Sequence, residues 1–424
     1  MIKFKNSGVD WIGDIPEYWK VDRLKNVLKE RVEKNEPVKT ENILSLTNDR
    51  GVIPYSEKGA IGNNSKEDIT GYKLAYPNDI VLNSMNVVIG SVGISKYFGA
   101  VSPVYYMLYL RNENDSINYY NYLFQTQELQ KYLKGFGNGI LEIRMRIPMI
   151  NLNSVKIPIP SSEEQHKIVK FLNEKCKVLD SLIKLQEAEI EKLKEYKTKF
   201  ILETICKGIN NADFKDSKID WIGNIPQHWC LSRIKYVTRI SRGLFNHRPR
   251  NDERLYDGKY PFIQTGDVAR AKKYITTYSQ TLNELGKAVS KEFKRGTLTM
   301  TIAANVGDVS ILDFDAYFPD SVVGFTPLND NSSEYLYYIF SAMKNEFIRA
   351  SIVSTQLNLN IERIKDMYIP FTADKQEQEQ IVKFLNKKCD KIDFLIEKKY
   401  SKIEKLKEYK KSLIYECVTG KKEI

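Results

Sequence analysis

The chain is short of almost everything that marks a catalytic centre. Its 424 residues hold three histidines, His166, His228 and His247, each isolated in sequence. No metal or Cys/His nucleophile set can be assembled from them, so neither catalytic nor metal-binding residues are expected. The five cysteines, Cys176, Cys206, Cys230, Cys389 and Cys417, form no CxxC pair. That argues against a zinc ribbon, and the odd, scattered count argues against a disulfide framework, which leaves buried thiols in a reducing compartment. No GxxxxGK[ST] loop occurs, so nucleotide hydrolysis is not expected. A Gly-rich cofactor loop after a strong strand and a Pro-Pro-aromatic tetrad are missing too. Pro319–Asp320 is not followed by the spaced acidic-x-Lys of a nuclease core. No stretch approaches the ~20 apolar residues of a membrane span, and the first residues lack an apolar leader core. A soluble cytoplasmic protein is expected.

What the chain has is bulk, positive charge and repetition. Hydrophobic residues make up 42% and aromatics 11%, enough for real cores. The length favours two to four domains. A formal net charge of +11 suggests a polyanionic partner, because Lys and Arg that neutralise phosphates release condensed counterions.

The sequence is written twice. Asp10 to Val27 reads DWIGDIPEYWKVDRLKNV, and Asp220 to Val237 reads DWIGNIPQHWCLSRIKYV. All four tryptophans lie in these copies: Trp11 and Trp19, then Trp221 and Trp229. IVKFLN at Ile168 returns at Ile381, IEKLKEYK at Ile190 returns at Ile403, and Cys176 matches Cys389. Such a period is far longer than that of solenoids. The matching frames hold dissimilar inserts, as a common mount carrying two different readers would. Within each opening copy, Pro16 or Pro226 and the Gly-punctuated Trp residues predict an extended, turn-rich anchor that plugs a helix end or a domain face.

The matching tails are helical. Ile168, Leu172, Cys176, Leu179, Ile183, Ile190, Leu193 and Ile201 fall at three- and four-residue steps. So do Ile381, Leu385, Cys389, Ile392, Ile396, Ile403, Leu406, Leu413 and Cys417. Lys, Glu and Gln fill the intervals, as a coiled-coil seam requires. No Gly or Pro interrupts Glu163 to Lys207 or Gln376 to Thr419, and each run would extend roughly 65–70 Å. Starts are expected at Ser161 or Ser162 and at Asp374. The cheapest partner for each stripe is the other copy, packed antiparallel. Packing on its own domain and a homo-oligomeric seam are the alternatives.

The bodies between are β-rich. Ile80 to Leu82, Val87 to Ile89, Val104 to Leu110, Thr297 to Ile302 and Ser321 to Phe325 read as strands. Aromatic-rich helices follow, over Tyr119 to Tyr132 and Ser333 to Arg349. The fold class is α+β: two β-rich globular domains separated by two long helices in an antiparallel intramolecular coiled coil, with a pseudo-two-fold internal repeat. The expected divisions are residues 1–157 with the anchor at 10–27, helix 158–209, residues 210–369 with the anchor at 220–237, and helix 370–424.

Polar residues that suit DNA cluster in both bodies. Arg can bridge guanine, and Asn or Gln can bridge adenine. The first body offers Asn83, Ser84, Asn86, Arg144 and Arg146, besides Lys58, Asn63, Asn64 and Lys66. The second offers Arg239, Arg242, Asn246, His247, Arg248 and Arg250 in one stretch, then Gln264, Arg270, Lys272, Lys273, Gln356 and Asn358. Most would meet phosphate or water, because phosphate contacts outnumber base contacts. The Arg242 to Arg250 stretch is the strongest candidate.

With DWIGxIPxxW at Asp10 and Asp220, EEQ and QEQ before IVKFLN, the IEKLKEYK tails and Ser354–Thr355–Gln356, the chain resembles a specificity subunit of type I restriction-modification enzymes. The resemblance covers the whole chain. It implies two target-recognition domains, each reading one part of an asymmetric, split double-stranded DNA target. It implies a helix pair that sets the spacing and docks two modification (methyltransferase) subunits, with restriction (translocase/nuclease) subunits completing the complex. S-adenosylmethionine, ATP and Mg²⁺ would belong to those partners, and none to this chain. The first body departs from the pattern, carrying Gly-Asn-Gly-Ile-Leu-Glu where the second has Ser-Thr-Gln-Leu-Asn-Leu. Two other readings compete: a coiled-coil scaffold joining two protein-binding domains, and a recognition module with a cryptic nuclease or methyltransferase activity.

Overall fold

The computed structural model describes residues 3–48, 50–58, 68–137, 146–210, 213–303, 305–353 and 357–424. It forms two compact units, one of residues 1–187 with 400–424 and the other of residues 188–399. Two uninterrupted helices, Ser162–Lys207 and Lys375–Val418, contribute to both. Their starts are capped as the sequence suggests. The Ser161 hydroxyl accepts from the Glu164 N–H at 3.2 Å, and the Asp374 carboxylate accepts from the Gln376 N–H at 2.9 Å. No helix among the described residues is long and apolar enough to cross a membrane.

Each body is closed by its own ends. In the first unit the opening strand Lys20–Arg23 pairs antiparallel with the closing strand Lys156–Ile159. In the second, Cys230–Arg233 pairs in the same way with Tyr368–Phe371. Between them lies one sheet plan, used twice. The first sheet runs Leu28–Arg31, Tyr105–Leu110, Ile80–Asn83, Val92–Ile94, and the second runs Thr238–Arg242, Val322–Pro327, Leu298–Thr301, Val309–Leu312. The strand Ile80–Asn83, like Leu298–Thr301, is buried along its whole length, which explains the absence of charge from both. The second sheet adds Tyr274–Ile275 in parallel, and a further four-stranded sheet lies beside it. The divergent inserts therefore share a topology that their residues conceal.

Two expectations change. Val87–Ile89 is a single 3₁₀ turn, with Gly90 N–H bonded to Val87 O, and the strand is Val92–Ile94. Gly90, at φ +86°, turns the chain after Val87–Ile89, so that Val92–Ile94 and not the apolar run before it pairs with Ile80–Leu82. The aromatic helices are each broken once, into Ile117–Phe124 and Gln127–Leu133, and into Ser333–Ala342 and Lys344–Ala350. In the first body Thr126 bonds its hydroxyl to Leu123 O, 2.7 Å away, and so turns the chain locally.

The long helices meet in reversed order in each unit. Ile168, Leu172 and Cys176 share one core with Leu413, Ile414 and Cys417. Ile201, Ile205 and Cys206 share another with Ile381, Leu385 and Cys389. Leu179, Ile190, Ile392 and Ile403 are buried, whereas Ile183, Leu193, Ile396 and Leu406 are half-buried. Gln186, absent from the apolar stripe, is buried among them. Lys197 and Lys410 are equivalent positions of the repeat, as are Asp180 and Asp393. Lys197 pairs with Asp393 at 2.7 Å in one unit, and Lys410 pairs with Asp180 at 2.7 Å in the other. The two units thus use the same pair of repeat positions with the roles of the two helices exchanged.

Candidate nucleic-acid interface

The mount positions everything else, and its joints are built from the anchors. Trp19 is buried and donates its indole N–H to the Glu164 carboxylate at 3.0 Å, in the first turn of the first long helix. Trp229 does the same to Glu377, at 3.0 Å, in the second. The other end of each joint is a helix terminus. Gly420, at the end of the second long helix, has φ +72°, and a Cβ there would lie 2.4 Å from Pro16 and 3.1 Å from Trp19. Gly208, also at φ +72°, ends the first long helix 3.4 Å from the Trp229 ring and 3.8 Å from Pro226, measured from the same hypothetical Cβ. At Gly420 only a residue with no side chain admits both that conformation and that approach, whereas at Gly208 the left-handed conformation alone favours glycine. Trp11 is buried against Tyr132, whereas Trp221 is half-buried.

The second Glu and the Gln of the EEQ and QEQ texts were legible only as helix starts, and the structure makes them clamps. Gln165 is fully buried: its side-chain carbonyl accepts from the Ser116 N–H at 2.9 Å and its amide donates to Pro160 O at 3.2 Å. Gln378 repeats this with the Ser332 N–H at 3.1 Å and Thr372 O at 2.8 Å. Tyr122 and Tyr338 donate to Asn173 and Asn386, the last residues of the two IVKFLN copies, at 2.7 and 2.5 Å. His228 stands where the first copy has Tyr18, and both touch the equivalent glutamate. Its position is a joint position.

On this mount, each body brings two loops together. In the first, Ile147 N–H donates to Ser84 O at 2.9 Å, so exposed Arg146 lies beside Asn83, Ser84 and Asn86. Asn83 and Ser84 point inward. The Asn83 side chain accepts from the Met85 N–H at 3.0 Å, and the Ser84 hydroxyl donates to Val104 O at 2.8 Å. Asn86 is half-buried. In the second body Leu359 N–H donates to Ile302 O at 2.9 Å, the equivalent bridge, which sets the backbone of Asn358 beside the loop after Leu298–Thr301. Arg144, Gln356, Asn63, Asn64 and Lys66 lie outside the described residues.

The Arg242–Arg250 stretch forms a separate patch. Arg242 donates to Asp320 O at 2.7 Å, and Arg250 grips the Asp320 carboxylate at 2.6 and 2.7 Å. Exposed Asn246 is tied by its N–H to Val289 O at 3.0 Å. Arg248 bonds the carbonyls of Phe245 and His247 at 2.9 and 2.8 Å. His247 meets Asp252 at 2.8 Å, and the Arg254 guanidinium holds that carboxyl far below the usual carboxylate range. Gln264 starts a short helix, its N–H bonded to Asp267 at 2.8 Å and its amide to Gln280 at 2.9 Å. Lys272 and Lys273 face the second long helix. Lys272 pairs with Glu397, and Lys273 meets Glu334 at 2.6 Å and Asn386 at 2.8 Å. The structure thus gathers Arg242 to Arg250 and separates Lys272 and Lys273 from them.

The fold is that of an internally duplicated chain, two bodies of common topology and different surface, each built against segments of both long helices. The chain belongs to the type I restriction modification DNA specificity domain family, whose description fits residues 16–195 and 226–405. It is 27% identical over 437 residues to the putative type I restriction enzyme MjaX specificity subunit of Methanocaldococcus jannaschii, covering 97% of this chain and 95% of that one. It is 23% identical over 430 residues to the MjaVIII specificity subunit of the same organism, covering 96% and 93%. Its fold resembles a chain solved in work on complex assembly and conformational transition of the type I R-M system, with TM-score 0.73, 13% identity and coverage of 95% and 98%. The crystal structure of the HsdS subunit from Thermoanaerobacter tengcongensis gives TM-score 0.54 at 14% identity, covering 96% and 98%.

Proposed function

We propose that this chain is the sequence-specific DNA-binding subunit of a cytoplasmic type I restriction-modification complex and carries no catalytic centre of its own. Each body reads one part of an asymmetric, two-part target. The helix pair sets the distance between the parts and docks two modification subunits, and restriction subunits complete the assembly. S-adenosylmethionine, ATP and Mg²⁺ serve those partners. The observation that carries the reading is the duplicated mount with reciprocal ion pairs, bearing bodies that keep one topology and differ in their polar loops. Helices of 46 and 44 residues, roughly 65–70 Å each, are stiff enough to act as a spacer of one or more DNA turns. In the first body the base-facing candidates are Asn86, Arg144 and Arg146. In the second they are Asn246, His247, Arg248, Gln356 and Asn358, with Arg242 and Arg250 positioned by Asp320.

Single-molecule methylome sequencing tests this in cells expressing the chain with its cognate modification subunit, against cells lacking the chain. A chain-dependent, asymmetric, split methylated motif is expected. Absence of any such motif, with both proteins present and associated, overturns the reading in favour of a scaffold that joins protein-binding domains.

A further inference from the structure

Apart from the Arg242–Arg250 stretch, the second body carries a shallow basic groove of about 480 Å³. One wall is the outer strand Thr238–Arg242, which turns Arg239 and Ser241 to the same side. The other is the turn 291–297, with Lys291, Lys294 and Arg295. That turn is rigidly held. Phe293 is buried and stacked on Phe318, ring centroids 3.8 Å apart, and Gly324 makes room for it, since a Cβ there would come within 2.7 Å of the ring. Thr297 and Ser333 donate their hydroxyls to Lys294 O and Gly296 O, each at 2.7 Å.

The four cations are not alike. Lys294 sits between Glu292 and Asp315 at 2.7 and 2.8 Å, and Arg295 is paired with Asp313 at 2.7 Å. Arg239 and Lys291 are exposed, one on each wall, and among the described residues neither has a carboxylate partner. An anion entering the groove meets two uncompensated charges without breaking any ion pair. Arg250, by contrast, would have to release Asp320.

We infer that this groove seats the phosphodiester backbone of DNA held by the second body, with Arg239 and Lys291 neutralising phosphates. The inference rests on the DNA-recognition reading above. It assigns these two residues to positioning the duplex, not to reading it, because phosphate contacts carry no base information.

The test uses the full-length chain and fluorescence anisotropy over a salt series, with one duplex bearing the methylated motif and one scrambled duplex of equal length. For the double variant Arg239→Gln, Lys291→Gln, the slope of log affinity against log salt should fall by about 1.8. Affinity for both duplexes should drop on the order of tenfold or more, with their ratio unchanged. The charge-keeping variant Arg239→Lys, Lys291→Arg should retain the slope. Lys218→Gln, which removes an exposed charge paired with Asp216 elsewhere in the same unit, should leave it alone. An unchanged slope in the double Gln variant, with wild-type binding intact, overturns the groove. So does an equal change per charge in Lys218→Gln, which would mark only net charge. Wild-type chain without salt-sensitive DNA affinity overturns the recognition reading and the groove together.

Discussion

Glu377 accepts from Trp229 at 3.0 Å and from the Thr372 hydroxyl at 2.6 Å, with His228 3.2 Å away. Its counterpart Glu164 accepts, among the described residues, from Trp19 and Tyr18 and is half-buried. Removing a buried acceptor costs the desolvation of the donors it leaves behind. Glu377→Ala should therefore lower unfolding free energy by about 2–3 kcal/mol, and Glu164→Ala by about 1, because water can replace it. Urea denaturation checks both; equal losses would show that the two joints are equally wet. At this scale the sequence was half legible. The doubled glutamate text was visible, but its partners lie 145 and 148 residues earlier, beyond any local rule. Asp320, which organises Arg242 and Arg250, lies 78 and 70 residues from them, so no local pattern in the sequence marks it.

The long helices were the most legible elements, because a period of three and four residues without Gly or Pro has few other solutions. Their charges carry further information that periodicity does not. The side chains of Lys197–Asp393 and Lys410–Asp180 are between 28% and 49% exposed, so each pair contributes modestly. Reversing one partner, as in Asp393→Lys, should cost about 1 kcal/mol, and adding Lys197→Asp should recover most of it. A double-mutant cycle by thermal or urea unfolding measures the coupling, and zero coupling would reduce the pair to a surface coincidence. The shorter elements were less legible. Val87–Ile89 looks like a strand by composition, and only the bonds of Gly90 and Asn86 make it a turn.

The molecule as a whole repeats its frame more faithfully than its text. Four strands keep one order in both bodies, although the residues between the matching segments barely correspond. Because each body is closed by its own strand pair, it should be exchangeable as a unit. Replacing residues Arg233 to Ile369 with the corresponding body of a relative should change one half of the methylated motif and leave the other intact. Methylome sequencing reads this directly, and a change in both halves would contradict independent readers.

By itself the sequence determined the duplication and the two long helices, since each is a pattern repeated along the chain. The antiparallel partner of each apolar stripe, one of three open choices in the sequence, was decided by the folded cores. The sequence also determined the basic character that a phosphate-bearing partner requires. Only the tertiary structure decided which polar residues are spent inside the fold. Ser84 and Lys273 read as surface donors, yet one is buried on Val104 O and the other is held by Glu334 and Asn386. Arg239 stands in the sequence as one DNA candidate among several and Lys291 carries no mark there, yet the fold sets both on one groove, neither paired with a carboxylate among the described residues. Charge and hydrogen-bonding capacity belong to the residue; whether they remain available depends on neighbours that only folding brings close.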